Sequence, residues 1–407
     1  MSHNPSRFDS IFQKGSKYKL FFLSIILAAF AYGIHKGLID NYLAEIVTMG
    51  EMDRGIAEFF RELPGLLLVF ILAVFYTFTA EKLYKIGAFI MLIGMGMLAI
   101  VSPTKILVTM AICIYSLGEH IQLGMKSTIT LQYARPEAGG TALGWQNAIN
   151  QVGTLAGYIV VIIALFLIKG ETPYRLFFLV AAVITGISAF STVGLTGKSA
   201  TDKTKSRFYF KKKFTKYYML EVFYGARKQV FLTFGPYVLI LFYGASAKII
   251  SLLFAISAIA CFFLSPVIGK IIDKAGYKIV MVMDTVILVV VCFFYGFAHH
   301  IFPMNTAFIV CCVNYILDSI ISLASMASSV YVQDISDSPE EVKATLSTGI
   351  SVNHMITLFI ALFGGWIWSK LGIETLFIIS AILGLCNSAY AATIKVNKKK
   401  ALPEENA

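Results

Sequence analysis

Tyr32-Gly33-Ile34-His35-Lys36 and Tyr224-Gly225-Ala226-Arg227-Lys228 each lie inside a long apolar stretch, about 192 positions apart. The correspondence continues downstream. Thr141, Leu143, Asn150, Gln151, Thr154 and Leu155 recur as Ala344, Leu346, Asn353, His354, Thr357 and Leu358, and the Pro136-Glu137 pair recurs as Pro339-Glu340. The offset grows to about 203 in this region, so the second half carries small insertions. A chain whose second half repeats the polar positions of its first is built from two like units. In membrane chains of this kind ligand sites lie near the midplane, between the repeats.

Composition makes this a membrane chain. Of 407 residues, 57% are hydrophobic and only 14% charged, and the mean hydropathy is +0.76. Soluble domains are about 45–50% apolar and about 25% charged, so the excess apolar surface has to face lipid. A span needs roughly 20 apolar residues. Such segments run near 19–46, 54–78, 83–101, 105–132, 140–168, 174–196, 217–243, 248–269, 277–298, 304–332, 342–369 and 373–394. They are long and continuous, whereas membrane barrels show segments of about 10 residues with alternating polarity. The sequence therefore predicts an all-α integral membrane protein with twelve transmembrane helices in two pseudo-symmetric six-helix bundles. Its parts are a tail at 1–18, a first bundle at 19–196, a basic linker at 197–216, a second bundle at 217–394 and a tail at 395–407.

The net charge of +11 is topological. Most Lys and Arg fall in the tails and in alternate loops, densest at Lys198, Lys203, Lys205, Arg207, Lys211, Lys212, Lys213 and Lys216. This positive-inside bias puts both termini and the 197–216 linker in the cytoplasm and the loop with Glu51 and Asp53 outside. The target is a cell membrane, plasma or inner, crossed many times. The basic excess fits anionic lipid heads and excludes nucleic acid as a partner. The six cysteines all lie within spans, with no CxxC pair or Cys/His cluster, so neither a metal nor a cofactor is expected. The first apolar segment is too long for a signal region and reads as an uncleaved span.

Gly269-Lys270-Ile271-Ile272-Asp273-Lys274-Ala275-Gly276-Tyr277-Lys278 reads as a loop after helix eight. It resembles the Gly-x-x-x-Asp-x-x-Gly motif of the major facilitator superfamily. With twelve spans, two halves and a basic central loop, the resemblance covers essentially the whole chain. It implies two six-helix bundles around a central cavity, alternating access, and helices one, four, five, seven, ten and eleven as the cavity lining. The first-half counterpart, Glu81-Lys82-Leu83-Tyr84-Lys85-Ile86, has no matching glycine pair. Physically, the glycines let helix ends approach, and Asp273 is placed to face a helix N-terminus near Ala344, a contact that would hold the outward-open state.

Ionisable residues at the centre of a membrane helix cost about 2.5–3.5 kcal/mol each on insertion scales, so those present mark function or fixed pairs. Helix one has Tyr32, His35, Lys36 and, further out, Asp40. Helix four has Glu119 and His120, helix seven Glu221, Tyr224, Arg227 and Lys228, and helix ten Asp318. Helices five and eleven have Asn147, Asn150, Gln151, Asn353 and His354. Helices three, six, nine and twelve read as nearly free of charge. Lys36, Arg227 and Lys228 suit an anionic group; Glu119 and Asp318 suit pairing with those cations or a coupling proton, with His120 and His354 as alternative proton carriers. Glu58, Arg61 and Glu62, followed by Pro64-Gly65, form either an external gate or an interfacial cluster, with Arg61 facing Glu58 at helical spacing.

These readings converge on a secondary active transporter working by alternating access. It would be a monomer, coupled to protons or another ion, and would carry a small organic anion or zwitterion. Efflux of amphiphilic compounds and a non-transporting receptor on the same fold are the alternatives. An enzyme is not expected, because HExxH, GxSxG and metal-ligand clusters are absent.

Overall fold

The computed structural model describes residues 11–75, 77–135, 138–168, 170–197 and 210–395. The Pro136-Glu137 pair, the lysines and arginine at 198–207 and most of both tails lie outside the described residues. The first six helices are α1 (Tyr18–Glu45), α2 (Glu51–Val74), α3 (Ala80–Ile100), α4 (Lys105–Tyr133), α5 (Gly139–Leu167) and α6 (Tyr174–Ser191). The second six begin with α7 (Thr215–Leu241), α8 (Ala247–Ala275) and α9 (Tyr277–Ile301), followed by α10 (Met304–Ile335). The run Pro339–Ala392 is divided at Gly372 (φ 88) into α11 (339–371) and α12 (373–392). All twelve expected spans are therefore present as helices. Among the described residues nine helical runs are apolar and long enough to cross a membrane, the last of them being α11 and α12 together. α2 and α7 miss that count because they carry the buried charges described below. The chain is a multi-pass membrane protein.

Two boundaries differ from the sequence reading. α8 runs on to Ala275, so Gly269 and Asp273 lie in its last turns and not in a loop. The helix formers Lys270, Ile271, Ile272 and Lys274 carry it past Gly269, and Gly276 stops it because its backbone takes φ 87, a region open to glycine. The loop between α11 and α12 is likewise one glycine. α10 is bent by a 3-10 turn at Ser322–Ser325. There Ser319, Ser322, Ser325 and Ser328 donate to carbonyls three or four residues back, and such back-bonding bends helices.

Within the first half α1 packs on α5 and α6, α3 on α4 and α6, and α2 on α4. α1 meets α5 at Gly33 and Gly157, where a Cβ on Gly33 would lie 2.2 Å from the Thr154 carbonyl oxygen. Small residues of this kind let membrane helices touch backbone to backbone. In the second half the Thr285 hydroxyl of α9 donates to the Gly384 carbonyl of α12, and Phe234 of α7 packs edge-on against Trp368 of α11.

The halves are pinned together towards the face opposite the termini. Asn41 donates to the Ala245 carbonyl (2.8 Å), Tyr237 to that of Met49 (2.6 Å) and Ser251 to that of Gly37 (2.8 Å). α2 and α11 cross at Gly55 and Gly365, where a Cβ on Gly55 would come 2.5 Å from the Ala361 oxygen.

Candidate functional site

A cavity of about 90 Å³ opens between α1, α2, α4 and α7. Helical periodicity builds its wall. Tyr32, His35, Lys36, Ile39, Asp40 and Leu43 form one stripe of α1, three or four residues apart. Arg54, Ala57, Glu58 and Arg61 form a stripe of α2, and Ile112, Tyr115 and Glu119 one of α4, with Leu232 of α7 closing the far side.

The charges on this wall are chained together. Lys36 pairs with Asp40 at 2.9 Å, Asp40 with Arg54 at 3.1 Å, and Arg54 with Glu58 at 2.8 Å. Glu58 pairs with Arg61 at 2.6 Å, and Arg61 reaches on to Glu62. Three cations and three carboxylates leave the chain formally neutral. Buried ions survive only when paired and hydrogen-bonded, and this arrangement meets that demand. The chain also crosses between the halves. Gln229 of α7 donates to Glu58 at 2.9 Å. The Glu62 carboxylate lies 2.8 Å from His354 Nδ1 and accepts from the Thr357 hydroxyl at 3.1 Å, both on α11. His120 stands edge-on to His354, ring centroids 4.9 Å apart. Gly65 makes room for both rings, since a Cβ there would lie 2.7 Å from His120 Nε2.

Three polar groups on the cavity wall are left over. His35 is only 8% exposed, yet neither of its ring nitrogens has a hydrogen-bond partner, and the buried Tyr115 hydroxyl has none. The two rings lie 5.0 Å apart. Glu119, half-buried on the same wall, forms none of the ion pairs that hold its neighbours. Leaving a buried polar group unsatisfied costs about 1–3 kcal/mol, a cost that water or a polar molecule in the cavity would relieve.

The expected site residues divide. Tyr32, His35, Lys36, Glu58, Arg61 and Glu119 share the cavity. Glu62, His120 and His354 form the seam beside it. Arg227 is elsewhere: it is 1% exposed, salt-bridged to Asp284 of α9 at 2.8 Å and stacked over Tyr224, its guanidinium carbon 4.9 Å from the ring centroid. Lys36 and Arg227 therefore do not converge on one ligand. Lys228 is half-buried and Asp318 buried within the second half. Lys126 donates to Asn150 at 3.1 Å and Asn353 to Glu221 at 3.2 Å, while Asn147 and Gln151 are exposed on α5. Asp273 is exposed, Gly276 and Lys278 are half-buried, and a Cβ on Gly269 would meet open space.

Sequence reasoning passed over Arg54, Gln229 and Asp284. Arg54 was findable, because it stands four residues before Glu58 on the same helical face. Helix nine reads as nearly free of charge, and the one carboxylate buried in it, Asp284, is the partner of Arg227. A lone carboxylate in so apolar a helix is itself the signal of a buried cation nearby.

No curated protein sequence matches the chain. Residues 218–407 match the model of the Major Facilitator Superfamily. Among solved structures, the chain is similar to the nucleoside transporter NupG, with TM-score 0.72 and 17% identity over 93% of this chain and 99% of that one. A D-xylose-proton symporter gives TM-score 0.70 at 14% identity, covering 92% and 96% of the two chains. A POT family transporter in complex with 5-aminolevulinic acid gives 0.69 at 13%, covering 93% and 97%. Residues 218–407, just under half of the chain, thus carry the pattern of the major facilitator superfamily, and both halves share the fold of these solved transporters.

Proposed function

We propose that the protein is a proton-coupled secondary transporter that moves a small zwitterionic or uncharged polar molecule by alternating access. One observation carries the substrate class. Every cation on the cavity wall is already paired with a carboxylate, while His35 and Tyr115 are unpartnered. A free anion would have to break a buried ion pair, at a cost of several kcal/mol. A zwitterion or a hydroxyl-bearing molecule can use His35, Tyr115 and Glu119 without doing so. The molecules that the structural relatives carry or bind, nucleosides, D-xylose and 5-aminolevulinic acid, are of this polar, compact kind and support the reading.

Glu119 is the proposed proton carrier beside the substrate, with Asp318 as its counterpart in the second half. The termini and the 197–216 linker are placed in the cytoplasm, and the seam described above then closes the outer face. The protein works as a monomer.

Transport into sealed liposomes tests this. Under an imposed pH gradient the wild type should concentrate a zwitterionic or uncharged substrate found by a thermal-shift panel. Glu119→Gln should lose that accumulation while keeping substrate exchange, which needs no net proton release. A Glu119→Gln variant that still concentrates substrate would remove this residue from the coupling role. Thermal stabilisation by dicarboxylates alone would overturn the substrate class.

A further inference from the structure

Outside the cavity lining, at the face opposite the termini, the end of α9 meets the start of α12. His299 and His300 stand in the last turn of α9, and Glu374 follows the Gly372 break by two residues. Nε2 of His300 lies 2.9 Å from Glu374 Oε1, and Nε2 of His299 lies 3.3 Å from the same atom. Consecutive helical residues point about 100° apart, yet these two rings come to 3.9 Å between centroids, both turned towards one carboxylate. His299 packs on Phe242, centroids 4.8 Å apart, while His300 is 57% exposed, so one side of the cluster is anchored and the other is open to water. The carboxylate also has a prepared seat: a Cβ at Gly372 would come 2.7 Å from Glu374 Oε2.

We propose that His299, His300 and Glu374 form a binding site for a divalent transition-metal ion of the zinc class, which clamps the end of α9 to the start of α12. The donor set of two imidazoles and one carboxylate suits zinc and its neighbours, with water in the remaining position. The spacing fits as well. Around a tetrahedral ion with bonds of about 2.0–2.1 Å, neighbouring donor atoms stand about 3.3 Å apart, close to the two nitrogen–oxygen distances here. The three donor atoms all lie within 4.8 Å of one another, so small side-chain rotations admit the ion. His299 Nδ1 has no hydrogen-bond partner, and a ring lacking that support binds metal less tightly, so the site is a modest-affinity one.

The test uses the full-length protein, purified without a polyhistidine tag, titrated with Co²⁺ alone and followed by visible d–d absorption. The wild type should take up one equivalent of Co²⁺ that Zn²⁺ displaces. Glu374→Gln and His300→Ala should each weaken binding by at least about tenfold. His300 is exposed and the Glu374 change is isosteric, so the unliganded melting temperature should stay near that of the wild type in both. Unchanged affinity in both variants, or no Co²⁺ absorption at millimolar ion, overturns the proposal. So does loss of binding in His354→Ala with Glu374→Gln unaffected, because the ion would then belong to the Glu62, His120 and His354 cluster.

Discussion

His35 and Arg227 occupy equivalent places in the two halves, three residues after Tyr32 and Tyr224, but the structure gives them opposite surroundings. His35 faces the cavity with both ring nitrogens free. Arg227 is sealed inside the second half against Asp284. The first half strings its charges along α1 and α2 where they line the cavity and cross the seam, whereas the second half locks its most buried pair within its own bundle. The repeat thus preserves position while dividing labour: one half presents polar groups to the cavity, and the other uses them to fix its packing. The glycines beside these residues tell the same story. Gly33 lies against the α5 backbone, whereas Gly225 lies against the Asn353 side chain.

The largest effect that would break this contrast is at Arg227. Removing one partner of a buried pair costs about 3–5 kcal/mol, so Arg227→Ala should sharply lower the melting temperature and yield in detergent. Arg227→Met with Asp284→Leu, which removes both charges, should recover most of the loss. If Arg227→Ala is as stable as the wild type and only ligand binding suffers, the second half serves the cavity after all.

The seam comes next. Glu62→Gln weakens the contacts to Arg61 and His354, and hydrogen bonds to charged groups are worth about 1.5–3 kcal/mol. Spin-label distances between positions 46 and 246, on the face opposite the termini, should lengthen on average as that face opens. An unchanged distribution would mean that the Gly55–Gly365 crossing holds the seam by itself.

A smaller difference is expected between the two equivalent glycines. Alanine gains about 1 kcal/mol of helix propensity over glycine. At Gly33 the new Cβ would meet the Thr154 carbonyl oxygen at 2.2 Å, and overpacking of this kind costs about 1–3 kcal/mol, so Gly33→Ala should destabilise. At Gly225 the neighbours are side-chain atoms, Asn353 Nδ2 at 2.7 Å and Ile356 Cγ2 at 3.0 Å, which can shift further than a backbone carbonyl, so Gly225→Ala should destabilise less than Gly33→Ala by thermal melting. Equal losses at both positions would erase the distinction.

The smallest effect concerns Tyr115. Its hydroxyl has no protein partner, so Tyr115→Phe should leave the unliganded melting temperature unchanged or raised. Substrate affinity should fall about 2–10-fold, the worth of one hydrogen bond. A Tyr115→Phe variant with wild-type affinity would place the ligand elsewhere in the cavity.

Much of the molecule is legible in its sequence, for reasons that are local. A run of some twenty apolar residues has one stable form in lipid, because its backbone polar groups must pair within the segment; hence all twelve helices can be read in order. The α1 stripe that lines the cavity follows from helical spacing, and the Arg61–Glu58 pair from its three-residue separation. What spacing within one helix does not specify is which helix lies opposite. Asp284 reaches Arg227 across 57 residues, and His354 reaches Glu62 across 292. Lys36 and Asp40 stand four residues apart and can be paired from spacing alone, but the arrival of Arg54 from α2 to share that carboxylate cannot. The sequence determined the helices, their number and the depth of each charge, because these depend on the solvent along one segment. Only the tertiary structure decided which charges are spent on one another and which polar groups on the cavity wall are left without a partner, because a buried charge takes its meaning from the partner across the interface.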